Sequence, residues 1–260
     1  MKRSDILKLP SMPAASPVFP LGPYRFVNRE YLIITYESDP DAVRAALPEP
    51  LMPTPNALVA FEAIRMPDSS GFGDYTESGL VIPCTFEGEA CGFVAQMYLD
   101  DEAPIAAGRE IWGFPKKYGN PKFRVAGDTL TATVDYGGER VAMGTMVYKP
   151  ETDDQEMRAA ETAVGKTQIC LKVIPDVNGK PAIAQLVAYN MTEITVKGAW
   201  RGAARLHLIP HVNAPFADLP VRRVVGGKHI LADVTLPFGR VAHDYLATEK
   251  EATQPKRISA

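Results

Sequence analysis

Short segments rich in β-branched and aromatic residues recur through the interior of the chain, and Gly, Pro, Asn and Asp separate them. The segments read "YRFVNREYLIITYE", "ALVAFEAIRM", "GLVIPCTF", "CGFVAQMYL", "TLTATVDYG", "RVAMGTMVY", "CLKVIPD", "ITVKGAW", "RLHLI" and "ILADVTLPF". Turn signals such as "DYGGER" and "DVNGK" lie between them. This pattern is typical of strands joined by tight turns. It predicts a mainly β (α+β) protein, an antiparallel barrel or sandwich with a few peripheral helices.

Helical signals are few. "SDPDAVRAALP" offers Ser38 or Asp39 as an N-terminal cap and Pro48 as a stop, and "DDQEMRAAETAVG" begins with acidic residues and ends at Gly165. Residues 1–23 are proline-rich and predict an irregular arm, and residues 251–260 predict a polar tail. Without an internal repeat or a low-complexity linker, we expect residues 1–260 to form a single domain.

Composition narrows the classes of function. A net charge of −3 and a pI near 5.9 give no electrostatic basis for binding nucleic acid or an anionic membrane. No apolar run approaches the roughly 18 residues of a membrane span. Three cysteines, Cys84, Cys91 and Cys170, form an odd set without a CxxC pair, which is typical of buried thiols in a reducing compartment. We therefore expect a cytoplasmic protein.

Two charged residues share the strand face of apolar neighbours, because alternate residues of a strand point to the same side. Arg29 has the parity of Val27 and Tyr31, and Glu62 has the parity of Ile64. A bulge that reverses parity, or an edge strand with two solvated faces, would explain either residue alone. The occurrence of both in consecutive strands favours a polar pocket.

The stretch "GREIWGFPKKYGNPKF" places two lysines within an aromatic, apolar run. If residues 111–118 are extended, Lys116 shares its face with Trp112, Phe114 and Tyr118, whereas Lys117 points to the opposite side. Burial would then lower the pKa of Lys116, and full burial shifts lysines by about 3–5 units. A neutral amine of this kind is what Schiff-base chemistry on a carbonyl requires. The alternative is a hairpin corner with both ammonium groups in water.

A longer series of motifs resembles the acetoacetate decarboxylase family. They appear in the family's order as "SPVFPLGPYRFVNREYLIITYESDPDAVRAALPEPL", "YTESGLVIPCTF", "MYLDDEAPIAAGREIWGFPKKYGNPKF", "GAWRGAARLHL" and "DLPVRRVVGGKHILADVTLPF". The combination of "GRE…PKK" with "YTESG" is specific. The resemblance covers nearly the whole chain.

The resemblance implies a set of catalytic residues. The Schiff-base nucleophile falls on Lys116, the first lysine of "PKK", and Lys117 is the neighbouring cation to which a lowered pKa is ascribed; the family is itself a standard example of an activated lysine. Arg29 of "NREY" and two pocket glutamates, Glu62 and Glu77, complete this set.

The resemblance also implies the substrate-binding wall. Besides Arg29, it consists of the residue at position 27, Val27, together with Met97 and Phe114. Position 114 is often tyrosine in the family, so a role assigned to that hydroxyl has no counterpart at this position.

For the reaction, the resemblance implies conversion of acetoacetate, a 3-oxoacid, to acetone and carbon dioxide through an imine and an enamine. No metal or organic cofactor is expected, since the imine acts as the electron sink. The subunit is expected to be an antiparallel barrel around the cavity, assembled into a large homo-oligomer, a dodecamer.

Alternatives remain at this point. Related folds use the same lysine for aldolase–dehydratase chemistry, and a decarboxylase of longer 3-oxoacids would have similar motifs. A barrel that only binds a small acid, with Lys116 as its counter-charge, is the non-enzymatic alternative. His207 and His211 in "HLIPH" are interpreted as structural rather than as metal ligands, because Pro210 interrupts a strand-rich segment.

Overall fold

The computed structural model describes residues 1–247. Most of these residues belong to two β-sheets. The larger sheet has eleven strands, of which nine pair in the order β12-β14-β1-β3-β4-β5-β10-β11-β15, while β2 pairs with β4 and β6 pairs with β5. The smaller sheet has four strands in the order β13-β9-β8-β7.

The strands have the following bounds, in chain order. The first eight are β1 (Tyr24–Glu37), β2 (Met52–Pro53), β3 (Leu58–Ser69), β4 (Gly73–Phe86), β5 (Glu89–Leu99), β6 (Lys116–Tyr118), β7 (Asn120–Ala126) and β8 (Thr129–Tyr136). The remaining seven are β9 (Glu139–Val147), β10 (Gln168–Pro175), β11 (Pro181–Tyr189), β12 (Thr192–Gly202), β13 (Ala204–Leu208), β14 (Arg223–Leu236) and β15 (Arg240–Asp244). Each of the strand segments predicted from the sequence coincides with one of these strands.

Residues 1–247 contain four α-helices: α1 (Arg3–Ile6), α2 (Pro40–Ala46), α3 (Glu102–Ala107) and α4 (Asp154–Gly165). The two predicted helices, α2 and α4, are confirmed. Asp39 is the cap of α2, since its carboxylate accepts hydrogen bonds from the backbone of Asp41 and Ala42. Helix α3 was not predicted, and α1 adds one short helix to the otherwise irregular arm of residues 1–23.

The predicted closed barrel is not confirmed. The pairing order of the larger sheet is an open path with β12 at one edge and β15 at the other. Most pairs are antiparallel, but β5 pairs in parallel with both β6 and β10. The predicted tail at 251–260 lies outside the described residues.

The two faces of the larger sheet have different environments. One face packs on the smaller sheet through a core that contains Leu32, Phe61 and Leu80 from the large sheet and Val134 from the small one. The opposite face carries a second buried cluster that includes Trp112 and surrounds a cavity. The side chains of alternate residues on β1, β3, β4 and β5 therefore divide between a hydrophobic core and this cavity.

Within residues 1–247, no helix combines the length and the apolar character that a membrane span requires.

Candidate active site

A cavity of about 80 Å³ lies on the face of the larger sheet that carries the second buried cluster. A buried water needs roughly 10–15 Å³ of such space, so several waters or one small acid fit. Most of the wall is apolar or aromatic, and the charged side chains that line it are Arg29, Glu62, Glu77 and Lys116. The structure therefore brings together four of the five residues predicted to be catalytic.

Lys116 reaches the cavity because a tight turn precedes it. Residues Gly108–Trp112 form a π-helical turn that continues α3, and Gly113 ends the turn in the left-handed conformation with φ of 78°. A Cβ atom at position 113 would lie 2.5 Å from Cα of Lys172, so both the conformation and the close approach require glycine. The chain then enters β6 at Lys116.

Three hydrogen bonds fix this turn. The backbone N–H of Phe114 donates to the carbonyl of Gly108 over 3.0 Å. The Arg109 guanidinium donates to the carbonyl of Lys116 over 3.0 Å, and Nζ of Lys172 donates to the carbonyl of Ile111 over 3.0 Å. The backbone that carries the amine is thus held by its own turn and by β10.

Arg29, Glu77 and Lys116 form one buried chain of charges. Oε2 of Glu77 lies 3.3 Å from Nζ of Lys116, and Oε1 of Glu77 lies 3.4 Å from Nη2 of Arg29. All three side chains are at most 7% exposed. The Arg29 guanidinium lies 5.0 Å and 4.9 Å from the ring centres of Phe26 and Tyr31, which favours its cationic form by contact with the aromatic faces.

Burial lowers the pKa of the Lys116 ammonium, because a charged amine loses its hydration in the cavity wall. The carboxylate of Glu77 opposes this effect, and the positive charge of Arg29 adds to it. Nζ of Lys116 lies 5.1 Å from the ring centre of Phe114 and 5.7 Å from that of Tyr75. The amine is thus enclosed by aromatic rings, with one carboxylate as its partner.

Glu62 lines the same cavity and is half-buried. Burial raises its pKa to about 7, while Arg29 acts in the opposite direction and Glu77 adds to the rise. A carboxyl group with this pKa exists in both protonation states near neutral pH, so it can donate or accept a proton.

The comparison with family models gives a match to "Acetoacetate decarboxylase (ADC)" over residues 9–246. The chain belongs to the acetoacetate decarboxylase family. The resemblance inferred from the motifs is therefore confirmed.

A similar curated relative is the acetoacetate decarboxylase of Paraburkholderia xenovorans, 55% identical over 91% of this chain and 92% of that protein. A solved acetoacetate decarboxylase superposes with a TM-score of 0.92 at 46% identity, covering 95% of this chain and all of that one. The acetoacetate decarboxylase of Legionella pneumophila gives a TM-score of 0.87 at 48% identity, covering 93% and 96% of the two chains.

Lys117, the second lysine of the family's "PKK" motif, does not lie in the cavity wall. Its amino group donates to the carbonyl of Asn213 and lies 5.1 Å from the ring centre of Tyr136. It faces the side of β6 opposite to Lys116, as strand alternation predicts. After burial, the charges of Glu77, which raises the Lys116 pKa, and of Arg29, which lowers it, are the neighbouring groups that act on this amine.

The predicted contact from position 27 is wrong. Val27 is half-buried outside the cavity wall, and Phe26 lines the cavity instead. The cause is a register shift between Phe26 and Arg29, with Asn28 in the left-handed conformation at φ of 55°. This bulge places Phe26 and Arg29 on the same side of β1.

The face that Lys116 was expected to share rested on the condition that residues 111–118 are extended, and this condition does not hold at Ile111 and Trp112, which belong to the π-helical turn. Trp112 and Phe114 are buried as expected, but Tyr118 is 69% exposed and does not share their environment. The apolar environment of Lys116 therefore comes from the turn and from other strands.

Met97 and Phe114 line the cavity, in agreement with the positions carried over from the family. Sequence reasoning missed Tyr75, Tyr189 and Gln168, which also line it. Tyr75 has the parity of Glu77 on β4, so alternation within "YTESG" was a usable signal. Gln168 had no local signal, because its place depends on the pairing of β10 with β5.

Proposed function

We propose that this protein is an acetoacetate decarboxylase that converts acetoacetate to acetone and carbon dioxide through a Schiff base on Lys116. One observation carries the proposal: Lys116 is buried in the wall of the cavity, where burial lowers the pKa of its amine, and a carboxylate lies 3.3 Å from that amine. A neutral amine inside such a cavity is a nucleophile for ketones.

In the proposed reaction, neutral Lys116 attacks C3 of acetoacetate, and loss of water gives a protonated imine. The bond between C2 and the carboxylate then breaks, and its electron pair moves into the iminium group to form an enamine as carbon dioxide leaves. Protonation of C2 restores an iminium ion, and hydrolysis releases acetone and the free amine.

Arg29 is proposed to attract the substrate anion. Its Nε is buried and has no hydrogen-bond partner among residues 1–247, so this donor remains for a carboxylate. A tight grip at the reacting geometry would stabilise the ground state and lower no barrier, which is why attraction rather than fixation is proposed.

Glu77 and Glu62 are proposed to transfer protons during the reaction. Their negative charge is also proposed to destabilise the substrate carboxylate, which leaves as carbon dioxide. Glu77 is in reach of the amine at 3.3 Å, so it fits proton transfer during formation and hydrolysis of the imine. Glu62, with its pKa near 7, is suited to donate the proton that C2 of the enamine accepts.

Two other functions are compatible with a buried lysine in this cavity. Another lysine-imine enzyme, either an aldolase–dehydratase or a decarboxylase of longer 3-oxoacids, would use the same amine. A small-acid-binding protein would use Lys116 only as a counter-charge, but family membership and the lowered pKa favour catalysis.

The test combines product analysis with covalent trapping. We expect acetone and carbon dioxide from acetoacetate, and we expect borohydride added with acetoacetate to reduce the imine and mark the peptide that carries Lys116. Lys116→Ala should abolish turnover and leave the fold intact, whereas the matched control Lys117→Ala should keep the adduct. An adduct on Lys117 alone, or condensation of pyruvate with an aldehyde in place of gas evolution, would contradict the proposal.

The assembly and the location are further proposals. By family membership we propose a large homo-oligomer, a dodecamer, in the cytoplasm. Light scattering of the purified protein tests the stoichiometry. The single-domain organisation of residues 1–260 stays a prediction.

A further inference from the structure

The cavity has a second polar end, at Gln168. Lys116 on β6 is the register partner of Met97 on β5, and Gln168 on β10 is the register partner of Gly92 on the same strand. Both neighbours run parallel to β5, so the two side chains enter the cavity five residues apart. At the rise of a strand this separation corresponds to about 15 Å between the two backbone positions.

Gly92 makes room for the Gln168 side chain. A Cβ atom at position 92 would lie 2.3 Å from Oε1 of Gln168 and 2.9 Å from Cγ1 of Val81. The amide of Gln168 therefore lies directly across the backbone of β5, in space that any other residue at position 92 would occupy.

The backbone before Gln168 is fixed by hydrogen bonds. The N–H of Gly92 donates to the carbonyl of Thr167 over 2.9 Å. Nδ2 of Asn190 donates to Oγ1 of Thr167 over 2.9 Å and to the carbonyl of Gly165 over 3.1 Å. The side chain thus starts from a rigid position at the end of α4.

The hydrogen-bonding capacity of the Gln168 amide is not fully satisfied among the described residues. Oε1 of Gln168 is buried and has no hydrogen-bond partner among the residues that the structure describes. The wall between Gln168 and the charged end is largely apolar and includes Val81, Val94, Met97 and Val164. A buried amide oxygen without a partner is destabilising unless a water or a ligand group donates to it.

The charged residues mark the end of the cavity to which the carboxylate of a 3-oxoacid is attracted. Arg29 and Glu77 lie beside Lys116, at the level where Glu77 pairs with Leu99. The carboxylate of an imine on Lys116 belongs at this end, beside Arg29. With the carboxylate at this end, the C4 methyl of acetoacetate would point along the apolar wall toward Gln168, and a longer alkyl chain would extend further toward the amide.

We propose that Gln168 is a specificity-determining residue that restricts the substrate to short 3-oxoacids, an inference that rests on the proposed function. An alkyl chain that reaches the amide excludes water from it and offers no hydrogen bond in return. Acetoacetate extends less far toward it, so the amide discriminates between chain lengths without taking part in the chemistry.

The test compares acetoacetate with 3-oxohexanoate as substrates of the full-length protein. Gln168→Met keeps a similar side-chain length and removes the amide, so we expect kcat/KM for 3-oxohexanoate relative to acetoacetate to rise roughly tenfold. The value for acetoacetate is measured alongside, since the inference concerns the ratio of the two values. Gln168→Ala, which also lengthens the cavity, should raise the ratio at least as much.

Gln185→Met is the matched control, since Gln185 binds Asp244 and does not line the cavity. It should leave the ratio unchanged. Thermal unfolding shows whether each variant folds. An unchanged ratio in both Gln168 variants, or an equal loss for both acids, would overturn the inference while the proposed function stands. A wild-type protein inactive on both acids would instead overturn the proposed function.

Discussion

Oε2 of Glu77 lies 3.3 Å from Nζ of Lys116, and both side chains are at most 7% exposed. The same carboxylate also lies 3.4 Å from Nη2 of Arg29. One buried anion therefore serves two cations. Loss of the Lys116 proton leaves a balanced pair of Glu77 and Arg29, so the neutral amine creates no unpaired buried charge.

Replacing Glu77 should separate imine formation from turnover. Glu77 raises the pKa of Lys116, so Glu77→Gln should lower that pKa and shift the acid limb of borohydride trapping to lower pH. Turnover of acetoacetate should nevertheless fall by about 100-fold or more, because a proton-transfer group is lost. Trapping and acetone production measured over the same pH range test this. Turnover near the wild-type rate would remove Glu77 from the mechanism.

Lys117 is the cation next to Lys116 in the sequence, and Arg29 is the cation near it in the cavity. Their replacement should have different effects on the pKa of Lys116. Arg29 lowers the pKa of Lys116, so Arg29→Met should raise that pKa and shift the acid limb of trapping to higher pH. It should also raise KM for acetoacetate. Lys117→Met is the control and should leave the limb in place, because its amine binds the Asn213 carbonyl. A shift in Lys117→Met equal to that in Arg29→Met would show that repulsion between the lysines dominates.

Glu62 should make stability depend on pH. Its pKa is raised to about 7 in the folded protein from 4.5, so the folded state binds the proton more strongly than the unfolded state. The stabilisation is fully present below about pH 4.5 and is lost as the pH rises through about 7, by about 1–3 kcal/mol. Glu62→Gln should therefore gain stability relative to the wild type between pH 5 and pH 8. Denaturant unfolding at both pH values measures this, and a constant difference would contradict it.

Gly108 should be required for the position of the amine rather than for the fold. A Cβ atom there would lie 2.7 Å from Cδ and 2.9 Å from Cε of Lys116. Gly108→Ala should displace the lysine side chain and lower kcat by about tenfold or more, since small displacements at a reacting centre are costly. Gly226→Ala is the control, because a Cβ at Gly226 meets nothing within 4 Å. Equal kinetics in the two variants would show that the lysine adjusts freely.

Much of the strand content was predictable from local sequence, because β-branched runs and turn residues act over a few positions. The face of each strand was predictable only where the strand is regular. Glu62 points into the cavity as its parity predicts, whereas the bulge at Asn28 exchanges Val27 for Phe26. A bulge depends on how β1 pairs with β14, which the order of residues in β1 does not determine.

The candidate site was likewise predictable from the sequence only in part. Lys116, Arg29 and Glu77 lie in short motifs and were identified from the sequence, but their mutual contact depends on the folding of three strands and a π-helical turn. Open pairing of the larger sheet instead of a closed barrel is likewise a property of edges far apart in sequence. Gln168 and Gly92 meet only through a parallel pair, and no local pattern marks such a pair.

The parallel pairing of β5 with both β6 and β10 has a consequence for how this protein can change. The rise per residue of β5 is fixed, so it sets the spacing between the amine of Lys116 and the amide of Gln168, which is proposed to limit the chain length of the substrate. Substitutions at positions of β5 between these two levels, such as Val94, can therefore change the size of substrate that fits while the strand pairing stays the same.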